Sequence, residues 1–392
     1  MPATLTSRSD VSLSAVTAGA VAVLIGCSGP LVIVITAATN AGLSPAQTTS
    51  WVWAMLIGCG FSSVILSIWT RTPVITAWST PGAALLVTSL LAFRYSDAIG
   101  AFLLAGIAAT LIGVTGLFGK IMARVPRGVT AAMLAGILLP FVLATFTAIP
   151  KSPVVVLAVI AAYLLGRRFL ARYAILLALG AGVAAAGALG QFRPAGIRLD
   201  LAVPVWTTPT FGWPALVSIG IPLLLVTMAS QNAPGLAVLR ASGYEPRDRL
   251  LLTGTGIASV LFAPFGSHAI NLAAITAAIC TGEDAHPNPA KRYVAGIASG
   301  ITNLLFGLFG TALVQVFAAL PRPLVAAVTG VALLGAVLTG LAGALEDVPA
   351  REPALITLAV TASGVTMLGV GSAFWGLVAG MGTYLVLRRK TG

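Results

Sequence analysis

Apolar residues run in stretches near 20 residues long from one end of the chain to the other, and Pro, Gly and charged positions gather in the short intervals between them. A run of that length, coiled as a helix, crosses a hydrocarbon core about 30 Å thick. Breaking the chain at those intervals predicts spans over 13–39, 47–69, 73–93, 97–118, 128–149, 152–166, 172–190, 214–239, 249–263, 264–281, 292–318, 322–344, 353–369 and 371–387. The pattern therefore predicts an all-α membrane protein with 14 transmembrane segments.

The third and tenth spans are broken. PVITAWSTPGAALLVTSLLAF, from Pro73 to Phe93, opens with a β-branched and aromatic piece. It then reaches Ser79-Thr80-Pro81-Gly82, a helix start in which Ser or Thr caps and Pro is tolerated. PFGSHAINLAAITAAICTG, from Pro264, reads the same way, with an extended piece to His268 and a helix from near Ala269. Breaks seven spans apart predict two halves of opposite orientation, a 7+7 inverted repeat with short strands in spans 3 and 10. The Pro-rich linker 191–213 falls where the halves meet.

Composition agrees: of 392 residues 58% are hydrophobic and only 8% charged, against about 25% charged in a soluble domain. The net charge of +12 raises nucleic acid as a partner, but the basic residues sit between the apolar runs and not on a patch. With both termini cytoplasmic, all but five of the 22 basic residues (Arg94, Lys151, Arg193, Arg198 and Arg322) fall on the inside, as the positive-inside rule requires. Nucleic acid is excluded on that ground. The three cysteines lie in apolar stretches and suggest no disulfide framework, and no metal or cofactor motif is present.

Non-helical backbone at membrane depth survives only where protein or a cavity satisfies it. Two half-helix N-termini meeting near the midplane present amides and positive dipole ends to one volume, which prefers an anion. All ten acidic residues lie at span ends or in loops. His268 is the one titratable side chain expected near the midplane, so it is the candidate for proton coupling; the alternative is a neutral histidine hydrogen-bonded for packing. Ser230, Gln231 and Asn232 in span 8 offer amides that orient a carboxylate or join helices. Gly26-Cys27-Ser28-Gly29-Pro30 interrupts span 1, which reads as a kink.

IGCSGPLVIVITAA (25–38), TPVITAWSTPGAALL (72–86), ASQNAPGLAVLRASGY (229–244) and APFGSHAINLAAITAAICTG (263–282) resemble the benzoate/proton symporters of the BenE family, a branch of the nucleobase and SulP-type anion transporter fold. The resemblance implies proton-coupled uptake of benzoate or a similar aromatic monocarboxylate by alternating access, in a bacterial inner membrane, with no enzymatic activity. It implies a core of residues 1–120 and 214–318 moving against a gate of 121–213 and 319–392, and allows a homodimer. The implied substrate site takes in Trp78, Ser79, Thr80, Pro81, Gly82, Ser230, Gln231, Asn232, Phe265, Gly266, Ser267, His268, Ala269 and Asn271. The carboxylates that nucleobase carriers offer from spans 8 and 10 are replaced by amide, hydroxyl and imidazole, which weakens a nucleobase substrate. Another anion carrier of the same fold is the alternative.

Overall fold

The computed structural model describes residues 10–124, 126–192 and 198–387. Arg8, Arg193, Arg388, Arg389 and Lys390 of the charge count lie outside them. The first apolar run forms α1 (Leu13–Ser28) and α2 (Pro30–Asn40), joined at Gly29, and the second forms α3 (Pro45–Thr70). The third holds β1 (Thr76–Trp78) and α4 (Thr80–Ser89). Then follow α5 (Tyr95–Thr115), the short α6 (Phe118–Arg124), α7 (Arg127–Thr147), α8 (Pro153–Phe169) and α9 (Ala174–Ala188). After the linker, α10 (Trp213–Ala241) carries two π-helical turns, Leu216–Gly220 and Met228–Asn232. α11 (Asp248–Phe262) leads to β2 (Ile270–Leu272) and α12 (Ile275–Thr281). The chain closes with α13 (Tyr293–Leu308), α14 (Gly310–Ala318), α15 (Arg322–Glu346), α16 (Arg351–Ala362) and α17 (Ser372–Leu387).

This is a mostly helical membrane fold. Among the described residues, six helices are long and apolar enough to cross a membrane by length and composition. A pair bent by 71° at Phe309 makes a seventh. Shorter apolar helices include Ala174–Ala188 and Ser372–Leu387.

β1 and β2 pair antiparallel, Thr76 with Leu272, Ala77 with Asn271 and Trp78 with Ile270. The ladder runs past both ends: Ser79 N donates to Ala269 O (3.1 Å) and Ala273 N to Ile75 O (2.9 Å). Neighbouring hydroxyls take up more of the strand backbone. Ser63 Oγ accepts from Thr76 N, and Ser259 Oγ accepts from Ile270 N. α3, α10 and α11 pack on this pair, with α13 on α3, α5 on α11 and α1 on α13, while α7, α8, α9, α15, α16 and α17 pack chiefly on one another.

The loop contacts fall into two groups. Asp10 forms ion pairs with Arg71 (3.7 Å) and Lys291 (3.5 Å), and accepts a hydrogen bond from the Tyr293 hydroxyl. That hydroxyl, with the two cations, holds the Asp10 carboxyl below the usual carboxylate range. Tyr244 reaches Pro289 O in the same group of loops. The linker crosses the other set of ends: Thr210 bonds Asp97 beside Arg94, Thr207 N donates to Pro264 O, and Ala202 N donates to Leu308 O.

Arg292 is buried and donates to three backbone carbonyls, Thr281, His286 and Pro287. Thr281 O lies at the C-terminal end of α12, where carbonyls are orphaned and the dipole is negative. Arg292→Ala should therefore lower stability by about 3 kcal/mol or more, read as a drop in the thermal unfolding midpoint in detergent. Arg292→Lys should recover only part, since one ammonium cannot reach all three acceptors; an unchanged midpoint in Arg292→Ala would contradict this role.

Candidate functional site

A cavity of about 350 Å³ opens where the two broken spans meet α1, α7, α10 and α15. Its walls include Thr76, Ala77, Trp78, Thr80 and Pro81 from the first break, Ala273, Ala274, Ile275 and Thr276 from the second, and Ser230, Gln231 and Pro234 from α10. Such a volume sits at the small end of the range for ligand pockets. The remaining wall is apolar in large part, with Val23, Cys27, Leu134, Leu138, Ile175 and Leu333 among its members. No Asp, Glu, His, Lys or Arg lines it among the described residues.

The first break forms as its residues suggest. Ser79 caps α4, its Oγ accepting from Gly82 N (3.1 Å) and its carbonyl from Ala83 N (2.8 Å). Thr227 of α10 donates to the same Oγ (3.0 Å). The Gly82 amide is thereby occupied, and Ser79 and Gly82 stand behind the wall. Trp78 is buried on the wall, and its indole Nε1, which can only donate, has no protein partner.

The second break differs from the expectation. Pro264 belongs to a 3₁₀ turn, Ala263–Phe265, and the strand comes later, at Ile270–Leu272, so that the helix begins at Ile275 and not near Ala269. Gly266 turns the chain at φ 113°, a left-handed value that suits glycine, and Ser267 N closes the turn on Phe262 O. Ala269 to Ala273 reads as helix by local propensity, but pairing with β1 overrides it. Phe265, Gly266, Ser267, His268, Ala269 and Asn271 consequently precede the half-helix and stand off the cavity wall.

Several of these have a packing role there. Phe265 stacks edge-on to Trp53 and Trp206, with ring centroids 5.7 and 5.4 Å away. His268 is fully enclosed, bonded through Nδ1 to Trp51 Nε1 (3.2 Å) and through Nε2 to Ser79 O (2.8 Å). The Asn271 amide donates to Leu272 O. In α10, Ser230 bonds back to Val226 O, and the buried Asn232 accepts from Leu272 N (2.9 Å) through Oδ1. Of the site residues expected from sequence, Trp78, Thr80, Pro81, Ser230 and Gln231 line the cavity.

Sequence reasoning missed the first-span wall as a wall. Gly26, Cys27 and Pro30 line the cavity, and at Gly29 a Cβ would lie 2.6 Å from Ala332 Cβ, so only glycine lets α2 approach α15 this closely. It also missed Thr276, Thr339, and Ser299 and Asn303 of α13; the buried Ser299 Oγ has no partner. The Gly29-Pro30 step was the one available signal, since it already read as an interruption of the first span.

Comparison with known proteins now decides the family. The family model described as "Benzoate membrane transport protein" matches residues 9–386. The chain belongs to the BenE family. It is 42% identical over 382 residues to the "Benzoate membrane transport protein" of Acinetobacter baylyi, covering 97% of both chains. It is 41% identical to "Inner membrane protein YdcO" of Escherichia coli, over 94% of this chain and 95% of that one. In fold it is similar to SLC26A9, with a TM-score of 0.66 at 12% identity over 95% of this chain and 65% of that longer one. It is also similar to the transmembrane domain of the cyanobacterial bicarbonate transporter BicA, with a TM-score of 0.57 at 18% identity, over 94% of this chain and 97% of that one. As a BenE member the chain is a multi-pass membrane transporter and not an enzyme.

The neighbouring amides Gln231 and Asn232 should separate. Asn232→Ala strands the buried Leu272 N–H and should cost about 1–3 kcal/mol, whereas Gln231→Ala, on the cavity wall, should leave the unfolding midpoint nearly unchanged. Equal midpoints would mean that Leu272 N finds another acceptor.

Proposed function

We propose that this transporter carries benzoate or a closely similar aromatic monocarboxylate inward together with a proton. The observation that carries the reading is a small cavity with an apolar majority, whose polar members converge where the two broken spans meet. The carboxylate faces the starts of α4 and α12, close to Thr80, Gln231 and Thr276, and accepts from the otherwise unpartnered Trp78 indole N–H. The ring lies against Val23, Cys27, Leu134, Leu138 and Leu333. A wall without a fixed anion or cation suits a monoanion and offers a dicarboxylate no second charge. The names of the Acinetobacter baylyi relative and of the family model point to the same substrate class.

Proton coupling follows from energetics. Moving one anion inward against an inside-negative potential costs about 2.3 kcal/mol per 100 mV. A co-transported proton cancels the charge and lets the pH gradient drive accumulation.

For the transport cycle we propose 14 crossings in an inverted repeat, both termini on the cytoplasmic side, and a core rocking against a gate. The packing pattern supports the repeat. α3 packs on α13 as α11 packs on α5, α1 on α13 as α10 on α5, and α8 on α9 as α16 on α17. Each pair recurs with its spans shifted by seven. The cavity draws its walls from both bodies, α7 and α15 of the gate facing the strands of the core, so relative motion would open it to alternate sides.

Radiolabelled benzoate uptake into proteoliposomes tests the reading. An acidic exterior should raise accumulation by up to about tenfold per pH unit for one proton per anion. Accumulation indifferent to the gradient would remove the coupling, and absence of uptake would remove the substrate.

A further inference from the structure

We infer that His268 is a positioning residue, a neutral clasp that holds the cap of half-helix α4 in place, and that the coupled proton travels without it. The inference rests on the proposed carboxylate site at the start of α4.

The hydrogen-bond roles are fixed by the partners. The Trp51 indole N–H can only donate, so His268 Nδ1, 3.2 Å away, presents its lone pair. The hydrogen then resides on Nε2, which donates to the Ser79 carbonyl at 2.8 Å. One neutral tautomer satisfies both contacts. A second proton on Nδ1 would point at the indole N–H, so an imidazolium would have to give up Trp51. The ring also has no room to turn. Trp51 and Phe102 stand edge-on at 5.8 and 6.2 Å, and the site is fully buried. Tyr95 packs against the same tryptophan, its ring 6.0 Å from that of Trp51. No carboxylate or cation among the described residues bonds the imidazole.

Ser79 is the residue that this bond controls. Its carbonyl also accepts from Ala83 N, its amide bonds Ala269 O, and its hydroxyl holds Gly82 N and Thr227. Ser79 lies between Trp78 and Thr80, both on the cavity wall. His268 thus links α3, through Trp51, to the residue that sets where α4 begins, although the imidazole itself stays off the cavity.

Two amide substitutions divide the clasp. In His268→Gln the introduced amide nitrogen reaches the position of Nε2 and keeps a donor for Ser79; His268→Asn places its amide near Nδ1, serving Trp51 and abandoning Ser79. In proteoliposomes His268→Gln should keep KM within about threefold of wild type and leave the pH dependence of benzoate accumulation unchanged, whereas His268→Asn should raise KM by roughly tenfold, because the Ser79 carbonyl keeps only its bond from Ala83 N and loses the one that ties it to α3. Thermal unfolding, which needs no substrate, should place both variants below wild type, since His268→Gln leaves the buried Trp51 N–H without an acceptor and His268→Asn takes one donor from the Ser79 carbonyl. The clasp is overturned if His268→Gln loses pH-driven accumulation while retaining exchange, because the imidazole then carries the proton. It is overturned equally if His268→Asn matches wild type in KM, or if both variants unfold at the wild-type midpoint. Wild-type protein that takes up no benzoate would instead sink the substrate reading, and the unfolding midpoints would still judge the clasp.

Discussion

Every structural feature of the site follows from one constraint: backbone amides and carbonyls left open inside a membrane must find partners, because lipid supplies none. Two apolar runs of this chain interrupt their helices, and each interruption answers the other. Thr76–Trp78 and Ile270–Leu272 exchange their ladder, extended by Ser79 with Ala269 and by Ile75 with Ala273. Because the partners lie far apart in sequence, the pairing also fixes the two half-helices relative to each other. The cavity exists where that pairing stops and the helices begin.

Side chains then make the arrangement rigid. Ser62, Ser63 and Thr76 join α3 to β1, Ser259 joins α11 to β2, and Thr227 and Asn232 join α10 to both breaks. These groups are buried, and each is satisfied, which is the condition under which a polar network orders a core. α10 is π-helical where it meets the strands, at Met228–Asn232, a distortion frequent at functional sites. Its extra residue per turn accompanies the division of labour between Gln231 on the cavity and Asn232 on the strand.

Much of this was legible in the sequence. Apolar run lengths located most helices to within a few residues, because hydropathy reports the membrane directly, although the run 353–369 outlasts α16, which ends at Ala362. Pro81 after Ser-Thr located the start of α4, because capping is local chemistry. The second break was legible as a break but misplaced: Ala269 to Ala273 carries helix-favouring residues, and its strand conformation depends on a partner in the other half of the chain. The same blindness to tertiary position put His268 at the substrate. An imidazole in an apolar run marks a polar need, yet only the fold reveals that Trp51 and Ser79 supply it. The wall facing the strands, Leu134, Leu138 and Leu333, carries no signal beyond its hydrophobicity.

The most direct measurement is a structure determined with benzoate bound. The account expects ligand density between Thr80 and Thr276, its carboxylate within hydrogen-bonding distance of Trp78 Nε1 and its ring toward Val23 and Leu138. Density outside the meeting point of the two broken spans, or either crossing resolved as an uninterrupted helix, would contradict it.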